Sequence, residues 1–281
     1  MTGSSQFPLM LPAQEVSCSL CGHAGPFEPV RPGASLRETR CTGCGSSRRN
    51  RDVARVLLRY YAPDSEGPLC DNLGRFADLR IYELQARGPL HDVLRNLPEY
   101  YCSEYFPDVA LGECNGDGVQ CQDATSLTFE DTGFDLVISQ DVMEHISPVW
   151  DALREIHRVL VPGGRHIFTV PVQERGPTRK RAEQEPGKEP KFLVPPVYHK
   201  DPLNREGALV FWDFGLDLPE RASAEGILTV HACSSCFYAP HETCFVATPE
   251  QYADYLLHRQ AGSHVLFFLY NSHVFVTEKG R

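Results

Sequence analysis

Four cysteines carry the sharpest chemical signal in the chain. Two residues separate Cys18 from Cys21 and Cys41 from Cys44, nineteen residues lie between the pairs, and a glycine follows each pair (Gly22, Gly45). Thiolates at this spacing can close a tetrahedral zinc site with bonds of about 2.3 Å, and the glycines permit the turn behind each pair. A shell of four sulfurs is closed and structural, because catalytic zinc keeps a position open for water or substrate. The competing reading is four buried thiols without metal. A second group, His231, Cys233, Cys236, His241 and Cys244, also holds ligand atoms. It lacks the paired spacing and lies in an expected strand and its exit, which favours buried free thiols over a second zinc.

Eleven cysteines are an odd number, and two of their pairs are spaced for metal, so thiols in a reducing cytoplasm are expected and not a disulfide framework. Residues Met1 to Gln14 lack a basic segment followed by an apolar run, and no stretch has the length of a membrane span, so export and insertion are not expected. A hydrophobic share of 42% with 23% charged residues gives an ordinary buried core.

The net charge of −10 argues against a surface that embraces a phosphate backbone everywhere. Its distribution is uneven: Arg31, Arg37, Arg40, Arg48, Arg49, Arg51, Arg55 and Arg59 face only Glu38 and Asp52 in the same stretch. These arginines suit either an anionic partner such as RNA or ion pairs with the acidic remainder of the chain. No aromatic residues interleave with them as a base-stacking platform requires, which favours the ion pairs.

The elements that must position this chemistry follow from periodicity. Arg51 to Tyr61 places Val53, Val56, Leu57 and Tyr60 at helical spacing and reads as the helix joining the ribbon to a main domain. From Leu79 onward short apolar runs alternate with amphipathic stretches. Strands are expected at Leu79–Leu84, Tyr100–Glu104, Gly118–Cys121, Phe134–Ser139 and Gly164–Val170, with a last antiparallel strand at Val274–Thr277 and a helix at Pro249–Arg259. The fold class is α/β, a Rossmann-like doubly wound, mostly parallel sheet with a small N-terminal zinc ribbon. The division is 1–50 ribbon, 51–78 linking helix and connector, and 79–281 main domain, with a substrate-side loop region at about 171–210. Such a sheet binds ligands beyond the carboxyl ends of its strands, and acidic residues stand at successive tips: Glu83, Glu104 and Asp123.

The run from Phe134 through Gln140 and Asp141 to Glu144 and His145, followed by Leu153 to Gly164 with its Pro162-Gly163-Gly164 end, resembles class I methyltransferases, specifically the type 11 group. The resemblance covers roughly Leu79 to Val170. Leu153, Ile156, His157 and Leu160 share one helical face, and Pro162 is expected to stop that helix. The resemblance implies an enzyme, an S-adenosylmethionine-dependent methyltransferase. Glu104 then matches the carboxylate that accepts both ribose hydroxyls, with Tyr105 beside it, and Asp123 the one that accepts from the adenine amino group, with Ala124 nearby. Gln140 lies under the methionine part. The alternatives are a solvated turn for Glu104 and a helix N-cap for Asp123.

The first loop departs from the family pattern. Glu83 is kept, but Gln85, Arg87 and Pro89 occupy places where the family carries glycine, leaving Gly88 alone. Glu83, Gln85 and Gly88 are still carried over as cofactor-binding positions.

On the acceptor side, His145 is the imidazole nearest in sequence to the cofactor loop, a candidate base or a residue that orders the loop. Residues Pro171 to Pro196 read as a lid rich in Pro, Glu, Lys and Arg. Tyr198, His199 and Asp201 follow as candidates for acceptor contacts, or as an exposed Asp-Pro turn. The leading expectation is methyl transfer to a small-molecule or sugar-like acceptor by in-line displacement, with S-adenosylmethionine and structural zinc. RNA methylation through the arginine-rich ribbon and a non-catalytic binding or assembly protein are the alternatives. Nucleic acid is otherwise not an expected partner, nor is a membrane.

Overall fold

In the computed structural model, residues 17–31, 36–173, 176–185, 187–201, 204–227, 230–234 and 273–280 are described. The ribbon is an antiparallel pair, β1 (Phe27–Pro29) and β2 (Thr39–Cys41), which runs into helix α1 (Arg48–Tyr61). The main sheet contains β3 (Ile81–Glu83), β4 (Tyr100–Glu104), β5 (Gln120–Cys121), β6 (Phe134–Gln140) and β7 (Leu160–Thr169). Two further strands complete it, β8 (Val230–Ser234) and β9 (His273–Glu278). Helix α2 (Pro89–Leu94) connects β3 to β4, and α3 (Val149–Val159) connects β6 to β7.

The strand order is β8-β9-β7-β6-β3-β4-β5. Strands β3 to β7 pair in parallel, whereas β9 runs antiparallel to β7 and β8 antiparallel to β9. This is the expected doubly wound, mostly parallel sheet. Both faces are covered, so inner strands read as near-continuous apolar runs and alternate by face. Leu136, Ile138, Ile81, Ile167, Val274 and Val276 form one core with Val53, Ala54, Val56 and Leu57 of α1 and with Cys18, Leu20 and Cys41 of the ribbon. Tyr82, Val137, Phe168 and Phe275 point to the other face and pack with Leu153 and Ile156 of α3.

The helix expected to join ribbon and main domain therefore lies on the sheet itself. It starts at Arg48, three residues before the periodicity does, because Ser47 and Asn50 form a reciprocal cap: Asn50 N–H donates to Ser47 Oγ at 3.3 Å and Ser47 N–H to Asn50 Oδ1 at 2.8 Å.

Helix α3 ends at Val159, ahead of Pro162, which corrects the expected stop. Leu160 is already extended and pairs with Phe134, while the next partners are Leu136 and Arg165, so the residues between bulge out. Gly163, at φ +81°, turns the bulge, and its N–H donates to Lys279 O at 2.8 Å.

The region expected to form a lid, 171–196, and the residues that follow it carry short antiparallel ladders, Arg179–Lys180 with Trp212–Asp213, Ala182–Glu183 with Lys191–Phe192, and Tyr198–His199 with Ala208–Leu209. Ala182, Phe211, Trp212 and Phe214 are buried with the α3 core. Within the expected lid Val172 joins Ala182 in that core, and among its described residues the exposed large apolar side chains are Phe192 and Leu193, with Val197 and Tyr198 just past it. The final strand lies where expected, at β9. The helix expected at 249–259 and the residues Cys236, His241 and Cys244 lie outside the described residues, and of Cys233 only the backbone, in β8, is described.

Candidate active site and metal centre

The ribbon brings its four sulfurs together. Cys18 Sγ lies 3.8 Å from Cys44 Sγ, Cys21 Sγ lies 3.8 Å from Cys41 Sγ, and all four fall within 4.8 Å of one another. A tetrahedron with Zn–S bonds of about 2.3 Å has an edge of about 3.8 Å, so the donor set fits zinc in type and in spacing. Each knuckle closes alike: Gly22 N–H donates to Cys18 O at 2.7 Å and Gly45 N–H to Cys41 O at 2.8 Å, with φ of +75° and +73°. Burial pushes the Cys21 and Cys44 thiols up, so a cation is what would hold these two as thiolates.

At the tip of β3, Glu83 is fully buried. Tyr100 Oη donates to its Oε2 at 2.6 Å and Gln140 Nε2 to its Oε1 at 3.3 Å, while Asn50 Nδ2 of α1 donates to Gln140 Oε1 at 2.7 Å. Burial raises the Glu83 carboxyl to about 8, partly offset by the Tyr100 and Gln140 bonds. Glu83 and Gln140 thus form one bonded floor beneath the strand tips, with both carboxylate oxygens of Glu83 engaged. Gln85 is half-buried, and Gly88, at φ +101°, forms the turn into α2.

Glu104 ends β4, and its Oε1 receives the Ala86 N–H at 3.2 Å and the Arg87 guanidinium at 3.4 Å. Burial raises the Glu104 carboxyl, against the lowering effect of Ala86 and Arg87, and Asp201 adds a like charge. Tyr105 is mostly exposed. Asp123 accepts the Thr125 N–H and hydroxyl on Oδ1 at 2.8 and 2.7 Å, which makes it an Asx turn where a helix N-cap was the alternative. Gln122 N–H bonds Glu104 O at 3.0 Å, tying the β5 exit to the end of β4, and Ala124 packs against the core. Among the described residues, Glu104 Oε2 and Asp123 Oδ2 accept no hydrogen bond.

Two features of the β6 exit escaped sequence reasoning. Asp141, at φ +54°, is gripped by Arg37 at 2.6 Å and by Arg49, and it accepts from the Thr169 hydroxyl at 3.0 Å. Arg48 and Arg55 pair with Asp52, and Arg51, stacked over Phe27, donates to Thr39 O and Ser46 O. Much of the arginine cluster is consumed in internal pairs. The second feature is Glu144, buried between His145 and His199, with its Oε1 3.6 Å from His145 Nε2 and 3.5 Å from His199 Nδ1. The imidazoles meet edge to face at 5.0 Å, bringing two of the sequence candidates together. Tyr198 remains half exposed beside them. A buried carboxylate between histidines distant in sequence leaves no periodic trace; the Glu144-His145 neighbourhood was the only available signal.

The sequence model of the family described as "Methyltransferase domain" matches residues 90–168. The chain is 45% identical over 56 residues to "Uncharacterized protein YafE" of Escherichia coli K12, covering 20% of this chain and 27% of that protein. It is 36% identical over 77 residues to "Probable tRNA methyltransferase 9B" of Bos taurus, covering 26% of this chain and 17% of that one. The chain thus spans about a quarter or less of the length of these curated relatives. A solved structure of the Burkholderia thailandensis 1,6-didemethyltoxoflavin-N1-methyltransferase, with S-adenosylhomocysteine bound, is 16% identical at a TM-score of 0.42, covering 83% of this chain and 79% of that one. Residues 90–168, which carry β4 to β6 and nearly all of β7 of the mostly parallel sheet, are thus similar to a methyltransferase domain.

Proposed function

We propose that the chain transfers a methyl group from S-adenosylmethionine to a small-molecule or sugar-like acceptor. One observation carries this reading: the methyltransferase-domain match runs through β4 to β7, and there Glu104 and Asp123 each keep one carboxylate oxygen unengaged at neighbouring strand tips. Glu104 would take the ribose hydroxyls and Asp123 the adenine amino group, while the Glu83 and Gln140 floor would support the methionine part. The cofactor supplies the electrophilic methyl group. This chain's residues hold and orient the partners, and His145 and His199 are the candidate proton acceptors, with Tyr198 at the acceptor edge. The ribbon at 1–50 would hold structural zinc, with 51–78 connecting it to the catalytic part at 79–281. Cytoplasmic residence is proposed because thiolate ligands persist in reducing surroundings. Among the described residues no helix is long and apolar enough to cross a membrane.

Calorimetric titration with S-adenosylhomocysteine tests the pocket. Glu104→Gln and Asp123→Asn keep size and, for Asp123, the Asx-turn oxygen. Each should weaken binding by about 1.5–3 kcal/mol, the loss of a hydrogen bond to a charged group. Unchanged affinity in both variants would show that the adenosyl group does not sit there.

The Arg87 contact with Glu104 favours one second reading, a methyltransferase fold used for binding or assembly without catalysis. In that case the wild-type chain would show no affinity for S-adenosylhomocysteine. RNA methylation is the less supported choice because Arg37, Arg48, Arg49, Arg51 and Arg55 are engaged within the chain.

A further inference from the structure

Glu144 is 1% exposed, and among the described residues neither of its carboxylate oxygens has a hydrogen-bond partner. Burying a carboxylate without compensation is costly, and such a group is ordinarily paired or bound to a metal. What faces it are His145 Nε2 and His199 Nδ1, at 3.6 and 3.5 Å. One ligand atom from each of the three residues lies within 4.8 Å of the other two. A tetrahedral centre with bonds of about 2.1 Å separates its ligands by about 3.4 Å, close to the two Glu144–histidine distances of 3.6 and 3.5 Å.

The imidazole of His145 is oriented for the task. Its Nδ1–H donates to Leu209 O at 2.8 Å, which leaves the Nε2 lone pair pointing to Glu144. Phe211 N–H donates to Glu144 O at 2.8 Å, fixing the backbone from the opposite ladder. Two elements far apart in sequence, the β6 exit and the Tyr198–His199 ladder, thus converge on a carboxylate that accepts no hydrogen bond among the described residues.

We propose that Glu144, His145 and His199 bind a divalent transition cation such as Zn2+ or Co2+, separate from the ribbon site. Three protein ligands of this kind leave a coordination position for an oxygen from water or from the acceptor. The binding site stands on its own geometry, whereas a role in catalysis rests on the methyltransferase reading. With the cation bound, His145 and His199 would act as its ligands and not as proton acceptors: an acceptor hydroxyl at the open position would lose its proton to solvent, and the oxygen would then attack the methyl carbon. The O–C bond forms as the S–C bond breaks, and the sulfur keeps the electron pair and leaves as the neutral thioether.

The full-length wild type, His199→Ala and Glu144→Gln are dialysed against Zn2+, desalted and analysed for zinc per chain, without cofactor. Both variants are expected to hold one zinc fewer than wild type, and to bind the second ion about a hundredfold more weakly or worse in direct titration. The ribbon's zinc is common to all three and cancels. Equal zinc content in the three chains would overturn the site. A second arm needs no variant: Co2+ added to wild type from which mild chelation has removed all but the ribbon's zinc should give visible d–d bands without the sulfur-to-cobalt charge transfer of a thiolate site. Their absence would equally overturn it. Failure of the wild type to bind S-adenosylhomocysteine would remove the methyltransferase reading while leaving the zinc count intact.

Discussion

Arg37, in the single 3-10 turn Leu36–Glu38 that leads into β2, sets its Nη2 2.6 and 2.7 Å from the two carboxylate oxygens of Asp141, at the exit of β6. Arg49, at the start of α1, holds the same carboxylate. The ribbon is thereby fastened to the strand exit that would carry the cofactor and the acceptor.

Burial opposes ionisation of Asp141, but the charges of Arg37 and Arg49 outweigh it and hold the carboxyl well below the ordinary carboxylate range. A depressed folded-state value means that this stability is present above the unfolded value of about 4 and is lost as pH falls through the folded one. Asp141→Asn leaves two guanidinium groups without their anion and should cost about 3 kcal/mol at neutral pH. Denaturant unfolding of wild type and variant as a function of pH checks this. The gap should narrow below about pH 4, and a constant gap into strong acid would show that charge is not its source.

Glu83 has the opposite sign. Its carboxyl is raised from 4.5 to about 8 by burial, so the folded chain holds a proton that the unfolded chain has released. Its contribution is complete below about 4.5 and declines as pH rises through about 8. Glu83→Gln should flatten this decline and raise the melting temperature relative to wild type at alkaline pH. Melting curves recorded across that window give the comparison, and parallel decline in both proteins would count against a protonated Glu83.

Chelation of the ribbon metal should be felt throughout the domain, because Cys18, Leu20 and Cys41 share a core with Val53 and Leu57 of α1 and with Ile138 and Ile167 of the sheet. Stripping zinc is expected to lower the melting temperature by about 10 °C or more in a single transition. Two separate transitions in calorimetry, with the upper one unmoved, would mean that ribbon and sheet fold independently.

By itself the sequence determined the local and periodic features. The paired cysteine spacing fixed which four sulfurs could meet, and the alternation of apolar runs with amphipathic stretches placed β3 to β7 within a few residues of their observed ends. Apolar burial and turn chemistry act over a handful of neighbours, so they are written into neighbouring letters. Tertiary structure decided the rest. Asn50 on Gln140, Arg37 on Asp141 and His199 beside Glu144 join residues 90, 104 and 55 positions apart, pairings that depend on how helices and loops dock on the sheet. Likewise, a carboxylate becomes basic, strongly acidic or a metal ligand according to what surrounds it: apolar burial for Glu83, two guanidinium groups for Asp141, two imidazoles for Glu144. That surrounding exists only once the chain has folded.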